Sequence, residues 1–263
     1  MKNIKDIVLV ANYSTNGLFS ILNGLISSSS EYLNNENIHI NYAMKSKAYG
    51  EDFLDAIFKQ SKINNKDFKE VKGRMLRDRK KAYLSYERYI KPIIKKEIED
   101  EINSFVANNF KEKTLGIHIR STDRKKDKLF GDKWNRISEK DVVNEVCLIE
   151  KKYDKIFIAT DYVVYRDALI KAFGGKVCFY SNNISKEEAK SIHHNPDFDK
   201  KQNVKEVFID AMLLSKCSYL LRTTSNVSYF SLVANPDLNF LDLSLKYNSY
   251  NSNLESFLNN WRL

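Results

Sequence analysis

The second half of the chain alternates short apolar runs with longer amphipathic stretches, and most of the runs end in polar residues. Leu115–Ile119, Lys155–Ala159, Lys176–Tyr180, Ser218–Leu221 and Asn239–Leu243 read as strands. Near-continuous apolar runs of that length suit strands covered on both faces. Between them, Ser138–Lys151, Val163–Phe173, Val204–Lys216 and Ser225–Ala234 read as helices. Strand–helix–strand alternation predicts parallel βαβ units, and therefore an α/β fold with a doubly wound parallel sheet and flanking helices. In such sheets ligands bind beyond the carboxyl ends of the strands.

The first half is less regular. Asp6–Ala11 reads as a buried strand, and an apolar stretch with near-helical spacing follows it (Leu18, Phe19, Ile21, Leu22, Leu25, Ile26). Ile38–Ala43 reads as a second strand, and Glu51–Lys59 and Ala82–Phe110 read as helices. Within the latter, Pro92 should kink the helix or start a new one, because it has no N–H to donate and its ring crowds the preceding turn. A length of 263 residues at roughly 150 residues per domain allows one or two domains.

Other classes are excluded by what the chain lacks. No apolar run reaches the roughly 18 residues needed to span a bilayer. The run Ile7–Ala11 is too short for a signal-peptide core. Cys147, Cys178 and Cys217 form no C-x-x-C pair, which argues against a disulfide framework and a cysteine-based zinc site. These features predict a cytoplasmic protein.

Lys and Arg outnumber Asp and Glu by 43 to 34. Between Lys72 and Lys96 stand ten basic residues, with only Asp78 and Glu87 opposing them. Such a run reads either as a solvated helix face or as a surface for phosphates, including peripheral contact with an anionic inner-membrane face. No helix-turn-helix, zinc-finger or RNP-like signature accompanies it, so no nucleic acid is expected.

Four strand ends carry the chemistry. The first strand contains His118 and runs into Arg120-Ser121-Thr122-Asp123-Arg124. The second ends in Thr160-Asp161, the third in Ser181-Asn182-Asn183, and the fourth in Arg222-Thr223-Thr224-Ser225-Asn226 at the start of a helix. Unpaired N–H groups at a helix start attract anions, and Arg120 and Arg222 are each forked cations suited to phosphate. Neither G-x-G-x-x-G nor the P-loop pattern is present, and no H-E-x-x-H metal signature occurs. Gly174-Gly175 reads as a helix C-cap. Simpler readings stand beside these: His118 as a core histidine, Asp161 and Thr223–Ser225 as helix N-caps. Asp210 lies among Val207, Phe208, Ile209, Met212 and Leu213, where an acid is costly unless it has a partner or a function.

The string from Gly116 to Arg124 resembles the H-x-R-x-x-D motif of the fucosyltransferase superfamily, which holds α1,6-, α1,2- and protein O-fucosyltransferases. Lys155–Asp161 resembles that family's second motif, and Glu206–Ser228 its third, in the same order. Asn16–Ser20 sits where the family has a glycine-containing loop. The resemblance implies a GT-B-type enzyme with two Rossmann-like lobes. It would transfer fucose from GDP-fucose with inversion, without a metal or other cofactor. Arg120 would bind the β-phosphate and support the leaving group. Gly17, His118, Asp123, Asp161, Asp210, Thr223, Thr224 and Ser225 would surround the donor. Asp127 and Asp210 are the carboxylates expected to take the acceptor's proton, with Asp132 a further alternative. Ser121 stands where α1,6 enzymes often have a second arginine, and Tyr162 where a second acid is usual.

The expected organisation is an acceptor-side lobe over residues 1–110 and a nucleotide-sugar lobe over 111–250. A C-terminal helix within 251–263 would pack back on the first lobe. The expected acceptor is a glycan, in the form of a bacterial surface polysaccharide or lipopolysaccharide. The competing readings are a transferase using another nucleotide sugar and a non-catalytic basic protein binding glycan or nucleic acid.

Overall fold

The computed structural model describes residues 5–13, 17–46, 53–59, 68–71, 75–121, 137–186 and 199–247. The apolar run after Asp6 forms strand β1 (Lys5–Tyr13). It lies between two parallel neighbours, β2 (Ile38–Ser46) and β3 (Phe68–Glu70). Between β1 and β2 the chain crosses through helix α1 (Leu18–Ser29), which buries Leu18, Phe19, Ile21, Leu22, Leu25 and Ile26. β3 is too short for alternation to announce it.

The helix expected over Glu51–Lys59 does not form. Among the described residues 53–59 only a single 3-10 turn is present, Phe53–Ala56, and Phe58 then pairs with Ile94 in an antiparallel bridge. The backbone explains the difference. The Lys59 N–H donates to Ile93 O at 2.8 Å, and the Lys95 N–H to Ile57 O at 2.9 Å. Strand-type partners thus satisfy the groups that a helix would have paired internally.

The long basic segment breaks where Pro92 requires. Helix α2 (Arg79–Ser85) passes into a π-helical turn at Tyr86–Ile90 and a 3-10 turn at Lys91–Ile93. Ile94 is extended, and α3 (Lys96–Asn109) starts afresh. Two arginines of the basic run are taken up internally, while Arg77, Lys80, Lys81, Lys91 and Lys96 are exposed. Arg79 is buried and its guanidinium donates to the carbonyls of Leu232, Asn235 and Leu238. Arg88 donates to those of Leu33 and Asn35. Lys91 and Lys96 pair with Glu87 and Asp100 one turn away.

The second half gives β4 (Thr114–Ile119), α4 (Glu139–Ile149), β5 (Lys155–Thr160), α5 (Val163–Phe173), β6 (Val177–Cys178), α6 (Lys200–Ser215), β7 (Tyr219–Arg222), α7 (Asn226–Ala234), β8 (Phe240–Asp242) and α8 (Leu243–Tyr247). The five strands form one parallel sheet in the order β6-β5-β4-β7-β8. Gly174 closes α5 at φ +55°, a backbone state that side chains disfavour.

Successive residues of β5 face opposite sides. Ile156 and Ile158 join Ile117, Val142, Val146, Tyr165 and Leu169 on one face. Phe157 and Ala159 join the other cluster, with Phe157 against the rings of Phe105 and Phe110. That second cluster continues into the first sheet through an aromatic group. Phe208 lies 5.8 Å from Phe230, Phe230 lies 5.0 Å from Phe19, and Phe58 lies 5.5 Å from Phe208. No helix among the described residues is long and apolar enough to cross a membrane.

Candidate functional site

The strand order has one reversal. Going from β4 the chain fills β5 and β6 to one side, then returns to place β7 and β8 on the other. By the general rule for such sheets, a ligand crevice is expected beyond the carboxyl ends of the two strands that flank this switch point. Arg120 leaves β4 on one side of it, and Thr223 leaves β7 on the other.

These two residues are joined directly. The Arg120 backbone N–H donates to the Thr223 hydroxyl at 2.8 Å, and the Thr223 N–H donates to His118 O at 2.8 Å. The Arg120 guanidinium lies 3.1 Å from Asp161 Oδ2. Asp161, just past β5, also accepts the Ser121 N–H through Oδ1 at 2.9 Å. Asp161 is therefore not the N-cap of α5; that position belongs to Tyr162, which makes no side-chain cap. Its carboxylate instead restrains both the backbone and the head group at the Arg120 turn. His118 is buried within β4, beneath Arg120.

The turn after β7 leads into α7. Ser225 caps that helix, its hydroxyl accepting the Ser228 N–H at 3.3 Å. The Ser228 hydroxyl donates back to Thr223 O at 3.0 Å. The first-turn N–H groups of Asn226 and Val227 have no partner within the helix, and the helix dipole makes that end attractive to an anion. From α1, the Asn23 amide donates to Asn226 O at 3.2 Å and so ties that helix to the same turn. Gly17, at the start of α1, is extended and provides no side-chain cap.

Arg222 does not reach the crevice as the sequence suggested. Its side chain is 2% exposed and lies 3.1 Å from Asp242 Oδ2, beneath the turn. A residue in β7 at that register faces α7 and β8, so the cation is used internally. Thr224 is also held from below: its hydroxyl donates to Asp242 and its N–H to Ser244. Asp242 and Ser244 escaped notice in the sequence because they interrupt the apolar run 238–245 only briefly. The rule that flagged the other strand ends applies equally to Asp242.

Asp210 occupies a second buried polar group, on α6. It is 5% exposed, its Oδ1 has no hydrogen-bond partner among the described residues, and Ser181 of the segment after β6 lies beside it. Burial, opposed by the Ser181 hydrogen bonds and reinforced by Glu206, pushes its pKa up to about 7. Glu206, one turn earlier, accepts the Asn183 N–H at 3.1 Å and the Gln202 amide at 2.9 Å. The third polar strand end thus meets α6, whereas the Arg120–Asp161–Thr223 contacts join the ends of β4, β5 and β7. Asp123, Asp127 and Asp132 lie outside the described residues, as do His193-His194 and the C-terminal segment 248–263. Among the described residues no group of three or more His, Cys, Asp or Glu side chains is arranged to hold a metal ion.

No protein-family profile matches the chain. No curated protein matches it in sequence. Solved structures do match in shape. Fucosyltransferase NodZ from Bradyrhizobium superposes with a TM-score of 0.60 at 14% identity, over 93% of this chain and 98% of that one. NodZ α1,6-fucosyltransferase soaked with GDP-fucose gives 0.57 at 13% identity, over 94% and 98% of the two chains. The same enzyme co-crystallised with GDP gives 0.57 at 14% identity, over 88% and 93%. At these identities the likeness establishes a common architecture: parallel sheets flanked by helices, in the GT-B-like arrangement of these transferases.

Proposed function

We propose that the protein is a fucosyltransferase that moves fucose from GDP-fucose to a glycan acceptor, with inversion and without a metal ion. One observation carries the reading. Arg120 stands at the switch point of a sheet whose architecture is shared with a transferase solved with GDP-fucose, and Asp161 and Thr223 hold it there.

Fucosyl transfer breaks the bond between the anomeric carbon and a diphosphate. Negative charge grows on the departing GDP, and groups aimed at that charge lower the barrier. The Arg120 guanidinium offers a forked donor for two phosphate oxygens. The first turn of α7 offers backbone N–H groups and the positive end of a helix dipole. Both are fixed before the donor arrives, so little reorganisation accompanies the reaction. The acceptor hydroxyl must lose a proton as it attacks. Asp210 and Asp127 are the proposed acceptors of that proton, and the Asp210 pKa near 7 suits a base working at neutral pH. Gly17, His118, Asp123, Asp161 and Ser225 complete the proposed donor surroundings. The acceptor is proposed to be a surface polysaccharide or lipopolysaccharide, met by the protein in the cytoplasm or at the inner membrane face.

A basic binding protein on the same scaffold is the competing reading: Arg79 and Arg88 are engaged by main-chain carbonyls, while Arg77, Lys80 and Lys81 remain exposed. A donor screen separates the readings. Purified protein is titrated with GDP-fucose, GDP-mannose and UDP-sugars, and scored by melting temperature and by nucleotide release, with and without EDTA. Stabilisation by GDP and its sugars, with GDP released from GDP-fucose in EDTA, supports the proposal. Preference for UDP-sugars, a requirement for added metal, or salt-sensitive binding indifferent to nucleotide overturns it.

A further inference from the structure

The turn between β7 and α7 is braced on the side away from the crevice. Asp242, at the end of β8, is 1% exposed and engages on both carboxylate oxygens. Oδ2 accepts the Thr224 hydroxyl at 2.9 Å and lies 3.1 Å from Arg222 Nε. Oδ1 accepts the Ser244 N–H at 3.0 Å. The Ser244 hydroxyl in turn accepts the Thr224 backbone N–H at 3.0 Å. Thr224 is therefore gripped at its main chain and its side chain by two residues of the adjoining strand end.

The consequence lies one residue to either side. Thr223 accepts the Arg120 N–H, and Ser225 caps α7. A shift of Thr224 would carry both with it. The Arg222 guanidinium sits 5.5 Å from the centre of the Phe240 ring and is enclosed by protein. A buried cation demands a counter-charge, and Asp242 supplies it. The pair thus fixes the carboxylate that fixes the turn.

We propose that Arg222 and Asp242 are positioning residues that act through Thr224 to set Arg120 and the first turn of α7 against the donor diphosphate. This rests on the fucosyl-transfer reading above. Neither side chain meets the donor; each acts through the turn above it.

Two substitutions loosen the brace and leave the Arg222–Asp242 ion pair in place. Thr224→Val removes one hydroxyl at nearly constant volume, and Ser244→Ala removes the acceptor for the Thr224 N–H. Leu169→Ala, in the core beneath α5, serves as a destabilised control. GDP-fucose turnover, donor KM and melting temperature are measured for each. Small displacements of reacting groups can cost up to about 100-fold in rate. Both brace variants should lose roughly 10-fold or more in kcat per folded molecule. Thr224→Ser should recover most of the loss of the Val variant, and Leu169→Ala should lose far less at an equal or larger drop in melting temperature. Brace variants with wild-type kcat, or losses no greater than that of the Leu169→Ala control, overturn the inference. A loss for Thr224→Val alone, with Ser244→Ala at wild type, overturns it too, since it points to direct contact by the Thr224 hydroxyl. Wild-type protein that releases no GDP from GDP-fucose overturns the parent reading, and this inference with it. An active wild type with unaffected variants overturns this inference alone.

Discussion

Asp161 holds Arg120 in two ways at once: its Oδ2 lies 3.1 Å from Arg120 Nη1, while its Oδ1 accepts the N–H of the next residue, Ser121. The guanidinium is thereby oriented before any ligand arrives, by a carboxylate that belongs to the neighbouring strand. Asp161→Asn keeps an acceptor for Ser121 and removes the charge opposite Arg120. Turnover with GDP-fucose should fall by roughly 10-fold, against roughly 100-fold or more for Arg120→Ala. Because Asp161 acts through Arg120, the double variant should resemble Arg120→Ala alone. Full multiplication of the two effects in steady-state kinetics would contradict this arrangement.

Asp210 makes stability depend on pH. Its folded pKa, about 7, lies above the ordinary carboxylate value of 3.8. The folded state therefore holds the proton more tightly than the unfolded chain does. The associated stability is fully present below pH 3.8 and is lost as pH rises to about 7. Glu206 faces the same carboxyl and opposes its ionisation, while the Ser181 hydrogen bonds favour it. Asp210→Asn should therefore gain stability over wild type as pH rises from 4 to 7, and the gain should level off above that. Urea unfolding at several pH values checks this; a constant difference across the range would contradict it.

Arg79 closes the carboxyl end of α7, taking carbonyls from Leu232, Asn235 and Leu238. Burial lowers its pKa to about 10, so it remains a cation at neutral pH. Arg79→Met should cost about 3 kcal/mol in urea unfolding, because buried carbonyls lose their donors. A loss below about 0.5 kcal/mol, typical of exposed positions, would mean that the clamp contributes nothing.

Gly116 is fixed by crowding. A Cβ there would stand 3.0 Å from Cys217 Sγ, 3.1 Å from Cys217 Cβ and 3.3 Å from Leu220 Cδ1. Gly116→Val should destabilise by about 1–3 kcal/mol through overpacking. Cys217→Ala in the same chain should restore part of the loss, as read from chemical denaturation midpoints.

The sequence disclosed the five-stranded sheet well. β4 and β5 are buried on both faces, so their apolar runs needed no alternation, and α5 falls at Val163–Phe173 as its spacing indicated. Polar strand ends led directly to Arg120, Asp161 and Thr223. What stayed hidden depends on long-range partners. Arg79 looked like one of many solvated cations because its carbonyls lie more than 150 residues away. Arg222 looked like a phosphate ligand because nothing in its neighbourhood announced Asp242. The segment 51–59 has the composition of a helix, yet tertiary pairing with Ile93 and Lys95 drew it into a bridge.

The most direct test is a crystal structure of the protein with GDP bound in EDTA. The account expects the diphosphate at the switch point, within about 3 Å of the Arg120 guanidinium and facing the Ser225–Val227 turn. A diphosphate bound elsewhere, with Arg120 still paired only to Asp161, would contradict it.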